Sequence, residues 1–359
     1  EYLGFYVERM VNFTDMEDKA VAECRETGAS LDELVRPVEE AYYRECGVLG
    51  IALPSIIPRS STSVETAVKI IESLVYTGHA YEHEGDYYFD PLTYEGFGRI
   101  YGLDMSEWPR EKVRFDKDTY PGQQWNLGDF ILWHAYTPED GDIYWETRLG
   151  KGRPSWNVQD PAMIVKHMGV QVDISCGGVD NLYRHHDYNL AVMESYSGVR
   201  PFAGVWLHGD YLLKDGEKMS KSVGNVLYLE DLVDQGRSGA LVRLALLWEH
   251  YREVLDIREG FLDELQNKLE TFRRDADEAM RPAAADEPGM DDDYPALLRE
   301  AFETAMSNDL RVRQAFEQVA AVVKSVAEIS RRRGISAAGR ESIREALMEI
   351  DAVLGVLTC

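Results

Sequence analysis

The apolar and polar positions of the first 50 residues carry helical spacing. From Asn12 to about Gly50 apolar residues recur three and four apart, with Leu31, Leu34, Val35 and Val38 on one stripe. Asp15 stands where it can cap a helix starting near Met16. After the breakers Pro54 and Pro58 a second helix is expected, with Ser63 as N-cap, Val68, Ile71, Leu74 and Val75 on one face, and Gly78 as its stop. Residues 81–89 read as a hairpin turning at Glu84-Gly85. Further on, residues 130–133, 170–174 and 205–208 are expected as buried strands, and the helical spacing between them predicts an α/β region with a parallel sheet. Beyond Gly224 the pattern is almost entirely helical, over residues 241–254, 261–280, 294–323 and 342–357, with a linker at 283–293.

Composition narrows the class. The 359 residues are 45% hydrophobic, enough for two or three domains with real cores. No apolar run reaches the roughly 18 residues of a membrane span. Glu1-Tyr2-Leu3-Gly4-Phe5 lacks an initiator Met and a signal pattern, so the chain is expected to begin inside a larger gene product. The four cysteines, Cys24, Cys46, Cys176 and Cys359, form no CxxC pair, and a reducing, cytoplasmic setting is expected. The net charge of −26 argues against non-specific nucleic-acid binding. Yet 27 Arg against 11 Lys, with dispersed acid, fits either a high-salt surface, where screening shortens that repulsion, or a GC-rich genome. An RNA partner therefore stays open.

The strongest local signal is Lys218-Met219-Ser220-Lys221-Ser222, followed by Val223-Gly224-Asn225. Two lysines three apart on a Ser- and Gly-bounded loop can reach triphosphate oxygens from two sides. They can then close on a phosphorus that gains negative charge in the transition state. Ser220 belongs to the same catalytic loop, and Met219 and Lys221 also count among the candidate ATP-binding residues. Gly177 and Gly178 suit close approach of backbone to a flat base. Asp180, just past an expected strand end, either accepts from ribose hydroxyls or caps the helix that carries the histidines.

With these pieces on the page, the chain resembles the class I aminoacyl-tRNA synthetases that carry the KMSKS signature, and among them the cysteinyl group. Asn12–Lys19, Gly78-His79-Ala80-Tyr81, Gly85–Phe89, Asp129–Trp133, Gly150–Trp156, Gly177–Asp180, His185-His186-Asp187 and His250-Tyr251-Arg252 match its segments in order. The resemblance implies a Rossmann-type parallel-sheet catalytic domain followed by an all-helical domain. Residues 1–20 would be a remnant of the first Rossmann half, 21–125 a connective insertion of helices and hairpin, and 126–210 the second half. Residues 211–258 would form the lysine-loop and stem-contact region, and 259–359 a helical bundle of anticodon-binding type. It further implies ATP with Mg²⁺, a small amino-acid substrate, tRNA as partner, no membrane and a monomeric state. Gly177, Gly178 and Asp180 would hold adenosine, while Trp156, Asp160, His185 and Asn189 would line the amino-acid pocket.

Two departures stand out. The positions of the group's H-I-G-H segment and of its C-terminal tail fall outside Glu1–Cys359; the H-I-G-H segment is expected to be missing from this sequence only, with its true loss from the gene as the alternative. Its zinc ligands are also changed: W-H-x-E-C-[SA]-A-M reads Trp156-Asn157-Val158-Gln159-Asp160-Pro161-Ala162-Met163, so Asp160 takes the Cys position, and Asn189 takes that of Glu. His185 is retained, one upstream Cys ligand falls outside the chain, and Asp160 with His185 makes a degenerate zinc site. His185 reads equally as a structural histidine, and His186 reads as structural. Cys176 reads as a small packed residue with no metal role, and Arg331-Arg332-Arg333 as either a tRNA phosphate contact or a solvated helix end. The resulting function is ATP-dependent activation of cysteine or a related small amino acid, with transfer to tRNA. The alternatives are an amino acid–amine ligase of the mycothiol cysteine-ligase type and a non-catalytic, tRNA-binding or regulatory paralogue.

Overall fold

The computed structural model describes residues 2–107, 128–220, 223–282 and 293–357. They fall into two compact units, and no helix among them is long and apolar enough to cross a membrane.

The first unit comprises Glu8–Tyr42 and Pro54–His208. Its N-terminal stretch pairs in parallel with a later one: Val11 N–H donates to Ile56 O and Phe13 N–H to Pro58 O, which brackets Asn12 between two backbone bonds. Helix α1 (Asp18–Thr27) ends at left-handed Gly28. Helix α2 (Leu31–Val48) opens with Ser30 and Glu33 bonding each other's backbone N–H. Contrary to the expectation from sequence, Asp15 does not cap α1. Its carboxylate accepts from Ser60 Oγ at 2.7 Å, from Ser61 N–H at 2.8 Å and from Ser61 Oγ. Helix α3 (Val64–Thr77) stops at Gly78 as expected, but Ser63 Oγ turns back to Arg59 O and leaves its N-terminus without a side-chain cap.

Strands β1 (Ala80–His83) and β2 (Asp86–Phe89) form the expected hairpin, with positive φ at both Glu84 and Gly85. With β3 (Phe130–Ala135), β4 (Trp145–Thr147) and β5 (Gly150–Pro154) they make an antiparallel sheet in the order β1-β2-β3-β5-β4. Residues 130–133 therefore belong to this sheet and not to a parallel one. The hairpin offers β3 a ready edge, and Phe130 stacks between Phe89 (4.8 Å) and Tyr188 (3.9 Å). Helix α4 (Trp156–His167) leads to β6 (Val172–Gly178), helix α5 (Asp187–Ser197) and β7 (Ala203–Gly209). Val172 N–H donates to Phe202 O, so the two strands start side by side and run in one direction, joined by a crossover helix. The expectation that they are buried fails: Ile174 is 57% and Val205 50% exposed, and Cys176 is exposed rather than packed.

The second unit holds Gly209 onward, Tyr43–Leu53 and the N-terminal residues to Val7. Strands β8 (Leu212–Lys214) and β9 (Glu217–Lys218) turn at Asp215-Gly216, and after α6 (Leu229–Asp234) and α7 (Gly239–Leu246) the chain returns as β10 (Leu255–Ile257), parallel to β8. The single helix expected over 241–254 thus breaks after Leu246, and His250-Tyr251-Arg252 forms a turn. Helices α8 (Phe261–Ala279), α9 (Tyr294–Ser307), α10 (Val312–Arg333) and α11 (Ala337–Leu354) bury Leu269, Phe272, Leu298, Phe302, Phe316, Val319 and Ile350 in one core. The helix expected over 294–323 is broken by Asp309 and Leu310, both left-handed (φ 58° and 56°). The turn at 250–252 holds Asp309: His250 Nε2 donates to Asp309 O at 2.7 Å, Tyr251 Oη donates to Asp309 Oδ1 at 2.9 Å, and Arg252 Nε donates to Tyr251 Oη.

Truncating Phe302, 2% exposed, to Ala should cost about 3–5 kcal/mol of unfolding free energy in a urea titration. By contrast Leu310→Gly should leave stability unchanged or raise it by up to about 1 kcal/mol, because glycine removes the left-handed penalty.

Candidate active site

Ser155 caps α4 by accepting from Asn157 N–H, and this fixes the helix start beneath β3 and β5. Asn157 Nδ2 donates to Ile131 O at 2.8 Å, and Gln159 Nε2 to Pro154 O at 3.1 Å. These two side chains are therefore tied to backbone. Asp160, between them and Pro161, is left to meet the residues arriving from β6 and α5.

The polypeptide leaves β6 at Gly177-Gly178, passes a 3₁₀ turn at Val179–Asn181 and a π-turn at Leu182–His186, and enters α5. That wide turn delivers His185 to Asp160, with Nε2 2.6 Å from Oδ2. Asn189, one helical turn further, places Nδ2 3.5 Å from the same oxygen and 3.3 Å from His185 Nε2. Asn12 Nδ2 donates to the other oxygen, Oδ1. Trp156 lies flat on the His185 ring, centroids 4.0 Å apart and planes 7° from parallel. His185 and Asn189 are buried, at 5% and 4% exposure, and His185 Nδ1 and Asn189 Oδ1 have no hydrogen-bond partner among the described residues. The four pocket residues chosen from sequence thus come together. Asn12 is the member that sequence reasoning missed, although it opens the matched 12–19 segment.

His186 turns the other way. Its Nδ1 is 2.8 Å from His208 Nε2, and burial, helped by the neighbouring imidazoles, pushes its pKa down to about 3. It is the neutral form that packs here. A Cβ on Gly177 would stand 2.4 Å from His186 Cε1, so glycine is required for an imidazole of the protein itself. A Cβ on Gly178 would meet Asp180 Oδ1 at 2.4 Å. Asp180 is exposed and caps no helix among the described residues, against the capping alternative.

The lysine loop belongs to the second unit. Lys218 closes β9, exposed, with Nζ 4.6 Å from the Tyr211 ring centroid. Asn225 staples the loop: its Oδ1 accepts from Ser220 N–H at 2.8 Å and its Nδ2 donates to Lys218 O at 3.3 Å. Met219 Sδ accepts from Leu227 N–H, and Ser220 O accepts from Val223 and Gly224 N–H. Lys221 lies outside the described residues. In α10, Arg331 contacts Asp275 and Glu278, so its charge is already partnered. Arg332 is exposed, and the Arg333 side chain lies outside the description.

A family model described as tRNA synthetases class I (C) catalytic domain matches residues 1–267. A Cysteine--tRNA ligase of Chlamydia pneumoniae is 36% identical over 363 residues, 99% of this chain and 75% of that protein. One of Brachyspira hyodysenteriae is 34% identical over 333 residues, 91% and 69% respectively. Among solved structures, Mycobacterium tuberculosis methionyl-tRNA synthetase bound by methionyl-adenylate aligns with a TM-score of 0.64 at 13% identity, over 99% of this chain and 83% of that one. The chain belongs to the class I tRNA synthetase family, in the branch that these cysteine--tRNA ligases share. The likeness to the methionyl enzyme bears on the fold alone, and it agrees with a Rossmann-type catalytic domain followed by helices.

Gly177→Ala should destabilise the protein by about 1–3 kcal/mol, because the added methyl meets an aromatic ring with no room to retreat. In the Gly177→Ala/His186→Ala double variant that increment should largely vanish. Equal penalties with and without His186, measured by chemical denaturation, would refute the contact as its cause.

Proposed function

We propose that this chain activates a small amino acid with MgATP as an aminoacyl-adenylate and transfers it to tRNA. The observation that carries the reading is the intact Lys218–Ser222 loop, with its backbone pinned by Asn225, in a chain of this family. Stapling at Lys218 and Ser220 gives the Lys218 ammonium group a defined frame, and such preorganised charge lowers a phosphoryl-transfer barrier. The amino acid's carboxylate attacks the α-phosphorus and pyrophosphate leaves. A terminal tRNA hydroxyl then attacks the carbonyl carbon of the adenylate and AMP leaves. Neither step uses a protein nucleophile; both rest on positioning and charge.

In this reading Lys218 and Lys221 stabilise the transferring group and Ser220 completes the loop. Gly177, Gly178 and Asp180 are the nucleotide candidates of the first unit, with Asp180 beyond the carboxyl end of β6, where doubly wound sheets bind ligands, and Met219 is the candidate within the lysine loop. Trp156, Asp160, His185 and Asn189 hold the amino acid. A ligand set of Asp160 and His185 for a zinc ion is a poor fit, because among the described residues no three His, Cys, Asp or Glu side chains converge.

Lys221→Ala should lower ATP–pyrophosphate exchange by about 10²-fold or more, with little change in Tm. Asn225→Ala should lower it by about tenfold through loss of loop order. Unaltered exchange in both would remove the loop from the mechanism. If the acceptor is tRNA, charging and binding should weaken steeply with salt, since each neutralised phosphate releases counterions. Adenylate formation without tRNA binding at low salt would favour an amine acceptor, and tRNA binding without adenylate a non-catalytic role.

A further inference from the structure

We propose that the Asp160 pocket selects its amino acid by hydrogen bonding, without a zinc–thiolate bond, so that cysteine holds no large advantage over a small hydroxyl-bearing amino acid. The proposal rests on the reading of the chain as an amino-acid-activating enzyme and concerns what that enzyme accepts.

Distance is the first argument. Nitrogen and oxygen ligands sit about 2.0–2.2 Å from zinc, so two of them on a tetrahedral ion stand roughly 3.3–3.5 Å apart. His185 Nε2 and Asp160 Oδ2 are 2.6 Å apart, a separation that accommodates a shared proton. The second argument is donor chemistry. The carboxylate meets N–H groups from three sides, from Asn12, His185 and Asn189, and two of these are neutral amides whose nitrogens do not ligate metal. A cation entering here would face those hydrogens and would have to break all three contacts.

The third argument concerns what the pocket still lacks. Asn189 Oδ1 is an acceptor, and His185 Nδ1 donates or accepts according to its tautomer; both are buried and, among the described residues, without a hydrogen-bond partner. Such groups are satisfied by a hydroxyl, an amide or a bound water, whereas a thiol is a weak donor. Trp156, stacked on His185, keeps the ring from swinging away to find another partner. Soft thiolate on zinc is the means by which a site prefers sulfur to oxygen, and this arrangement has replaced it with hard, directional contacts.

The test uses the protein extended upstream of Glu1 to the initiator Met of its gene and purified from zinc-supplemented medium. Elemental analysis should find less than about a tenth of an equivalent of zinc. ATP–pyrophosphate exchange across the amino acids should show cysteine and serine within about tenfold of each other, unchanged by a zinc-selective chelator that spares Mg²⁺. Stoichiometric zinc that survives dialysis, or a cysteine preference of about 10³-fold or more that the chelator abolishes, would overturn the proposal. Absence of exchange with every amino acid would instead refute the activating-enzyme reading. In that case the zinc content decides the pocket alone: near zero supports hydrogen bonding, and one equivalent overturns it.

Discussion

Asp160 is one turn into α4 with its carboxylate mostly withdrawn from water, and a carboxylate so placed has to be met by donors from elsewhere in the chain. It is met by three. One comes from the N-terminal stretch that pairs beside residues 56–58, one from the π-turn after β6, and one from the first turns of α5. The carboxylate thus joins α4 to the N-terminal stretch and to the continuous run from the π-turn into α5, and the geometry of the cluster follows from satisfying it. The wide π-turn is part of the same solution, since it puts His185 on the Asp160 side and His186 on the His208 side. Gly177 is constrained in consequence, because the imidazole sent the second way occupies the space its Cβ would need.

Much of this was legible in the chain. Local rules sufficed for the hairpin at Glu84-Gly85 and for the stop at Gly78, because each depends on residues within a few positions of one another. The cluster of Trp156, Asp160, His185 and Asn189 also emerged from the order of matched segments. Asn12 did not, since nothing near it in sequence marks its partner 148 residues away. Periodicity failed where a side chain from elsewhere decides the backbone. Residues 294–323 are apolar at helical spacing throughout, yet Asp309 turns left-handed under the grip of Tyr251 and His250. Asp15 failed similarly: it can cap the adjacent helix, but the hydroxyls of Ser60 and Ser61 offered better geometry.

The phrase buried strand, right for Phe130–Trp133, was wrong for β6 and β7, and the reason is physical. A run of Val, Ile and Trp states only that a strand prefers covered faces. Coverage depends on other elements, and for Ile174 and Val205 the described residues do not supply it. Composition has the same limit: −26 is a property of the whole chain, while Arg331 shows that a charge within a basic run can be paired by carboxylates of a neighbouring helix, α8.

The clamp on Asp309 has a mechanical side. Only four residues, Asn308–Arg311, separate α9 from α10, and two of them are in a conformation that side chains disfavour. Such a joint has no slack. Adding or deleting a residue there would rotate α10 by about 100° relative to its partners, moving Phe316 and Val319 off the shared core. The length of this connection is therefore as much a part of the bundle's specification as the identity of any residue packed inside it.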